Sequence, residues 1–148
     1  MIASLYGGVD FGAKGVSERV GARFRIQIGD EVFYGELLED KAPNICRAFR
    51  SQLPINSFSV HAKFAGRELI IMVPFFAEAE NEILEVQPGD IAYYPGRQTI
   101  CIFYGDTTPF GKVSVFARLI GPPAALRRAG DLVLERGWLP ARLELATS

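Results

Sequence analysis

Apolar residues alternate or run together from Arg23 to Ile28 and again from Glu31 to Leu38, on either side of Gly29-Asp30. That pattern predicts two short strands joined by a tight turn. The period then changes. Ala42, Ile45, Cys46, Phe49 and Leu53 recur at three- and four-residue steps, while Arg47, Arg50 and Gln52 fall mainly elsewhere, which predicts a helix with one buried stripe. Pro43 suits its first position, where the missing N–H has no intrahelical partner to lose. Glu39 and Asp40 are expected at the positive end of its macrodipole, and Pro54 stops it.

Strand-like stretches dominate the rest. Phe58 to Phe64 alternates, Gly66-Arg67 turns, and Glu68 to Val73 returns as a very apolar strand into Pro74. The acidic stretch from Glu78 to Glu85 does not have the spacing of a calcium loop and reads as a solvated linker. Three further strands are expected at Asp90 to Tyr94, Thr99 to Tyr104 (buried on both faces) and Val113 to Ile120. A short helix from Pro122 to Ala129, stopped at Gly130, then leads into a final strand from Asp131 to Arg136. Many short strands and only two helices predict a mainly β fold: a closed or nearly closed antiparallel β-barrel of about eight strands. Closure removes exposed edges, and each helix must bury its stripe by capping an open end.

This divides the chain into an N-terminal arm (1–22), a barrel (23–136) and a C-terminal tail (137–148). The arm is rich in glycine and reads as flexible; the alternative is that it orders on a neighbouring subunit through Leu5, Tyr6 and Phe11. Trp138, Leu139, Leu143 and Leu145 give the tail enough apolar surface to dock on its own barrel or on a second subunit, which leaves a homo-oligomer open.

At 148 residues the chain is expected to bury a core without metal or disulfide staples. A net charge of -1 gives no basic footprint for nucleic acid. The longest apolar run, Leu69 to Ala77, is interrupted by proline and too short to cross a bilayer, and no export signal is visible, so a cytoplasmic location is expected. Cys46 and Cys101 lie in apolar segments and read as buried free thiols. With a single histidine and no CxxC, neither a metal nor another cofactor is expected.

The stretch Asp40, Lys41, Pro43, Phe49, Arg50 after a hairpin resembles the first helix of the cyclophilins, and Val115-Phe116-Ala117-Arg118-Leu119 is similar to a later strand of that family. A closer likeness is to a group of small, functionally uncharacterised bacterial and archaeal proteins of cyclophilin-like fold. It is carried by Gly89-Asp90, Tyr93-Tyr94-Pro95-Gly96 and Cys101-Ile102-Phe103-Tyr104-Gly105. In the isomerases of the family an arginine directly follows a histidine and donates to the substrate around the prolyl amide. Here His61 is followed by Ala62, which has no donor, and the glutamine-containing run beyond it is replaced by Gly66, Arg67, Glu68 and Leu69.

The expected function is therefore a non-catalytic module that binds a small molecule, such as a small acid, or a peptide segment. The alternative is a weak or vestigial peptidyl-prolyl isomerase. Tyr94, Arg97, Phe103 and Tyr104 are the candidate ligand contacts, with His61 at the pocket wall and Arg67 as a second guanidinium donor. The plainer readings are a solvated turn for Arg97, barrel-end covers for the tyrosines, and a backbone-bonded core histidine for His61.

Overall fold

Two strands start the chain's ordered architecture, β1 (Arg23–Ile28) and β2 (Glu31–Leu37), in antiparallel register about Gly29 and Asp30. Gly29 takes φ 58°, the left-handed conformation that a tight turn needs and that glycine adopts without steric cost. A computed structural model describes residues 21–146. The remaining elements are α1 (Pro43–Gln52), β3 (Ile55–His61), β4 (Gly66–Met72), β5 (Glu82–Ile83), β6 (Asp90–Tyr94), β7 (Thr99–Thr107), β8 (Val113–Gly121), α2 (Pro123–Arg136) and β9 (Trp138–Leu145).

The strands pair in the order β2-β1-β9-β3-β4-β7-β6-β8-β5, and β2 also pairs with β8. That last pairing, Leu37 with Ala117 and Gly35 with Leu119, closes eight strands into a barrel and leaves β5 as an extra strand on the outside of β8. Closure gives every barrel strand an inward and an outward row of side chains.

Phe24, Ile26, Phe33, Leu69, Ile71, Ile100, Ile102 and Phe116 fill the interior. The two helices plug its ends, as expected. Phe49 of α1 meets Phe24 at 4.9 Å and Phe116 at 5.3 Å between ring centres, and Phe75 links it to Tyr93. From the opposite end α2 inserts Ala125, Leu126, Ala129 and Val133. No described helix is long and apolar enough to cross a membrane.

Two expectations are corrected and a third lies largely outside the described residues. The segment Asp131 to Arg136 is the second half of α2, not a strand: Gly130 stays helical, and the buried stripe simply continues from Leu126 and Ala129 to Val133. A side chain at Gly130 would collide with the ring of Tyr104, so the residue is there for close approach. The stretch read as a C-terminal tail is β9, which inserts between β1 and β3 and docks on its own barrel along both edges. The glycine-rich arm reading falls almost wholly on residues 1–20, outside the described ones; Gly21 and Ala22 are already tied by their N–H groups to Glu36 and Glu39.

The acidic stretch is no free linker either. The Glu80 carboxylate accepts from the backbone N–H groups of Asn44 and Ile45 at 2.8–3.2 Å, supplying the cap that α1 lacks from its own side chains. Glu39, expected to serve the helix dipole, instead accepts from Ala22 and Arg50.

Replacing Glu80 by alanine removes both the cap and a favourable charge at the helix N-terminus, and is expected to cost about 1 kcal/mol in urea unfolding. Deleting residues 138–148 strips a partner from two strands at once. The expected result is loss of cooperative unfolding by circular dichroism; a native, merely dissociated product would contradict the placement of β9.

Candidate functional site

Alternation along β3 turns Ser59 and His61 inward, opposite Ile71 and Leu69 of β4. On β7 the inward row is Ile100, Ile102 and then Tyr104, beside α2. These rows bring two residues 43 positions apart into contact. His61 Nε2 and the Tyr104 hydroxyl lie 2.6 Å apart, their rings edge-on at 87°. His61 is thus a boundary histidine bonded to a side chain and not to backbone. Its Nδ1 is buried with no partner among the described residues, as is the hydroxyl of Ser59 two positions away on the same face.

Arg67 completes the mouth. It sits where the β4–β7 register shifts between Gly66 and Glu68, and its stem lies over Gly105, where a Cβ would collide with it. Its guanidinium approaches Asp131 of α2 at 3.7 Å, a long contact between two side chains about 60% exposed.

Burial lowers the His61 pKa, helped by Arg67 and Lys63 and opposed by Asp131. Burial also raises Tyr104, with Asp131 in the same direction and Arg67 against. Both groups are therefore uncharged at neutral pH, a neutral hydrogen-bonded pair beside an exposed guanidinium.

The other candidates lie elsewhere. Tyr94 and Arg97 belong to the β6–β7 turn at the α1 end, where the Arg97 N–H donates to the Tyr94 carbonyl at 3.1 Å and the Arg97 side chain is exposed. Phe103 points outward from β7 and is wholly buried, in a cluster with Ala92, Cys101, Val113 and Val115. Tyr94 packs against that cluster too, so His61, Arg67 and Tyr104 form one group, Tyr94 and Phe103 share the outer cluster, and Arg97 stands exposed at the turn.

A residue not singled out from the sequence stands on the outer wall. Glu68, next to Arg67 but on the opposite face, is 6% exposed and lies across from Phe103. Burial raises its pKa, and the one group that acts against this is the Cys101 thiol. The signal was available in parity: with Leu69 and Ile71 inward, Glu68 has to share the outer face with Ala62 and Phe103.

Neither cysteine is a nucleophile at neutral pH. Burial, with Glu39 and Glu80, pushes Cys46 up to about 12, and burial with Glu68 carries Cys101 well above its ordinary value.

Comparison with known proteins agrees with this architecture. The sequence model of the family described as Cyclophilin-like matches residues 22–133. The structure of McbB in complex with tryptophan is similar with a TM-score of 0.76 and 16% identity, over 84% of this chain and 45% of McbB. At that identity the likeness is one of fold, and this chain spans less than half of McbB. The solution structure of the hypothetical protein AF2241 from Archaeoglobus fulgidus is similar with a TM-score of 0.67 and 26% identity, over 88% of this chain and 100% of that protein. No curated protein matches.

The lowered His61 pKa has a definite sign for stability. The unfolded chain takes up this proton more readily than the native one, so the contribution is intact above the ordinary value of 6.5 and is lost as pH falls below it. Thermal unfolding across mildly acidic pH is expected to show a steeper loss for the native sequence than for His61→Gln. Equal slopes would place the imidazole in an unperturbed setting.

Proposed function

The chain belongs to the cyclophilin-like family, and from that premise we propose that it is a non-catalytic module that binds a small acid, or the carboxylate of a peptide segment, at the barrel mouth beside α2. The observation that carries this reading is Arg67. The Arg67 side chain is 59% exposed; its guanidinium faces Asp131 at 3.7 Å and hydrogen-bonds Tyr104, beside the neutral His61–Tyr104 pair. An exposed ion pair of this kind contributes little, so a ligand carboxylate competes for the guanidinium at small cost. Arginine offers a planar, bidentate donor to such a group, and the Tyr104 hydroxyl stands ready as a third polar contact. McbB was solved with tryptophan, a small molecule that carries a carboxylate; a ligand of that class suits this mouth.

The non-catalytic part of this reading is supported by the outer wall. Ala62 occupies the position after His61 where the family's isomerases carry their arginine, and it is 1% exposed with no side-chain donor. Enzymes draw most of their acceleration from donors placed in advance at the reacting bond, and this one is missing. His61, meanwhile, is turned inward to Tyr104.

Titration of ¹⁵N-labelled protein with benzoate is expected to shift the amides of Arg67, Tyr104 and Asp131 and to lose those shifts in Arg67→Ala. An undisturbed mouth, or shifts that survive Arg67→Ala, would refute the acid site. In a protease-coupled prolyl-peptide assay the protein is expected to give no acceleration; turnover that disappears in His61→Ala would instead establish the isomerase.

A further inference from the structure

We infer that the outer wall of β3, β4 and β7 carries a second site, in which the Glu68 carboxylate receives the ammonium group of an arylalkyl amine. This site is independent of the acid site at the mouth, because neighbouring side chains on β4 point to opposite faces.

The first observation is a carboxyl group without a counter-charge. Glu68 is 6% exposed, and among the described residues no arginine, lysine or histidine forms an ion pair with it. Arg67, its nearest cation in sequence, points to the mouth, where it faces Asp131 and Tyr104. Around Glu68 the wall is apolar or weakly polar: Ala62 just past the end of β3, whose N–H donates to the Glu68 carbonyl at 2.9 Å, and Phe103 and Cys101 on β7. A buried carboxylate is costly unless paired, and a cation arriving from solution supplies the missing partner.

The second observation is aromatic. Phe64 and Phe110 form a tilted pair with ring centres 4.9 Å apart, yet remain 62% and 73% exposed. Phe64 belongs to the connection between Ala62 and Gly66. Phe110 belongs to the connection from Thr107, which is level with Gly66, down to Val113; Ser114 is already level with Tyr93, which pairs with Ile100. With the interior filled, that descent runs over the outer surface. Thr108 N–H donates to the Ala65 carbonyl at 2.8 Å and ties the two connections together. Two exposed phenyl rings at the upper edge of a wall that holds an unpaired carboxyl provide both halves of an arylalkylammonium site: ring contact for the aryl group and charge for the nitrogen. Among the charged groups around it, Lys63 lies in the β3–β4 connection and acts on His61, while Glu68 has only the Cys101 thiol beside it. Burial disfavours the charged form of Glu68, and an ammonium beside it favours that form.

The probe is 2-phenylethylamine. Amide shifts at Ala62, Glu68, Cys101 and Phe103 are expected on titration, with an affinity that falls at least about tenfold in Glu68→Gln. The shifts persist in Arg67→Ala, so failure here and failure of the acid site are told apart. The neutral 2-phenylethanol is expected to bind the native protein and Glu68→Gln alike. As a measurement that needs no variant, the ¹³C carboxyl resonance of Glu68 is expected to titrate at lower pH when the amine is saturating. An outer wall that does not respond to the amine, equal affinity in Glu68→Gln, or an unmoved Glu68 titration would each overturn the proposal.

Discussion

The pairing of β2 with β8 is the contact on which the rest of this molecule depends. Without it the eight strands are a long sheet with two free edges, and nothing distinguishes an inside from an outside. With it, Leu37 meets Ala117, Gly35 meets Leu119, and each strand is forced to present one row of side chains to a closed volume. That volume has two open ends, and the hydrophobic effect requires them to be filled. Both helices answer this need, α1 through Ile45, Cys46 and Phe49 and α2 through Leu126, Ala129 and Val133. β9 supplies the remaining wall by bridging β1 and β3.

Function follows from the same partition. Two successive residues of β4, Arg67 and Glu68, carry opposite charges and are sent to different compartments: one to the mouth beside α2, the other to the outer wall. The mouth pairs a half-free guanidinium with a neutral imidazole–phenol contact. The wall pairs a carboxyl with apolar neighbours, at the face where the family's isomerases present an arginine and this chain has Ala62. The chemistry of the face is thereby reversed in sign, from a donor of hydrogen bonds to an acceptor.

Much of the barrel was legible because its strands obey period two between turn residues. The hairpin about Gly29 and the strand Asp90–Tyr94 lie where the pattern puts them, and the start of α1 falls on Pro43. Where local signals compete with tertiary packing, the reading fails. Gly130 carries the local mark of a helix stop, but the Tyr104 ring needs its missing side chain and the helix runs on. In β9 the alternation of Leu139, Ala141 and Leu143 was present but looked like a sticky tail, since nothing local says that two strands elsewhere lack a partner. The cap of α1 arrives from Glu80, 36 residues downstream, and the His61–Tyr104 contact joins positions 43 apart. Contacts at that separation leave no mark in either segment alone, so six candidates read as one group are spread over the barrel: Tyr94, Arg97 and Phe103 lie away from the His61–Tyr104 contact.

Barrel closure itself is the claim to measure. Cross-strand nuclear Overhauser contacts between the backbone protons of Gly35 and Leu119, and between those of Leu37 and Ala117, report it directly. The account predicts both sets, together with slow amide exchange along β2 and β8 comparable to that of β7. Absent contacts with fast exchange on those two strands would describe an open sheet, and the division into mouth and outer wall would fall with it.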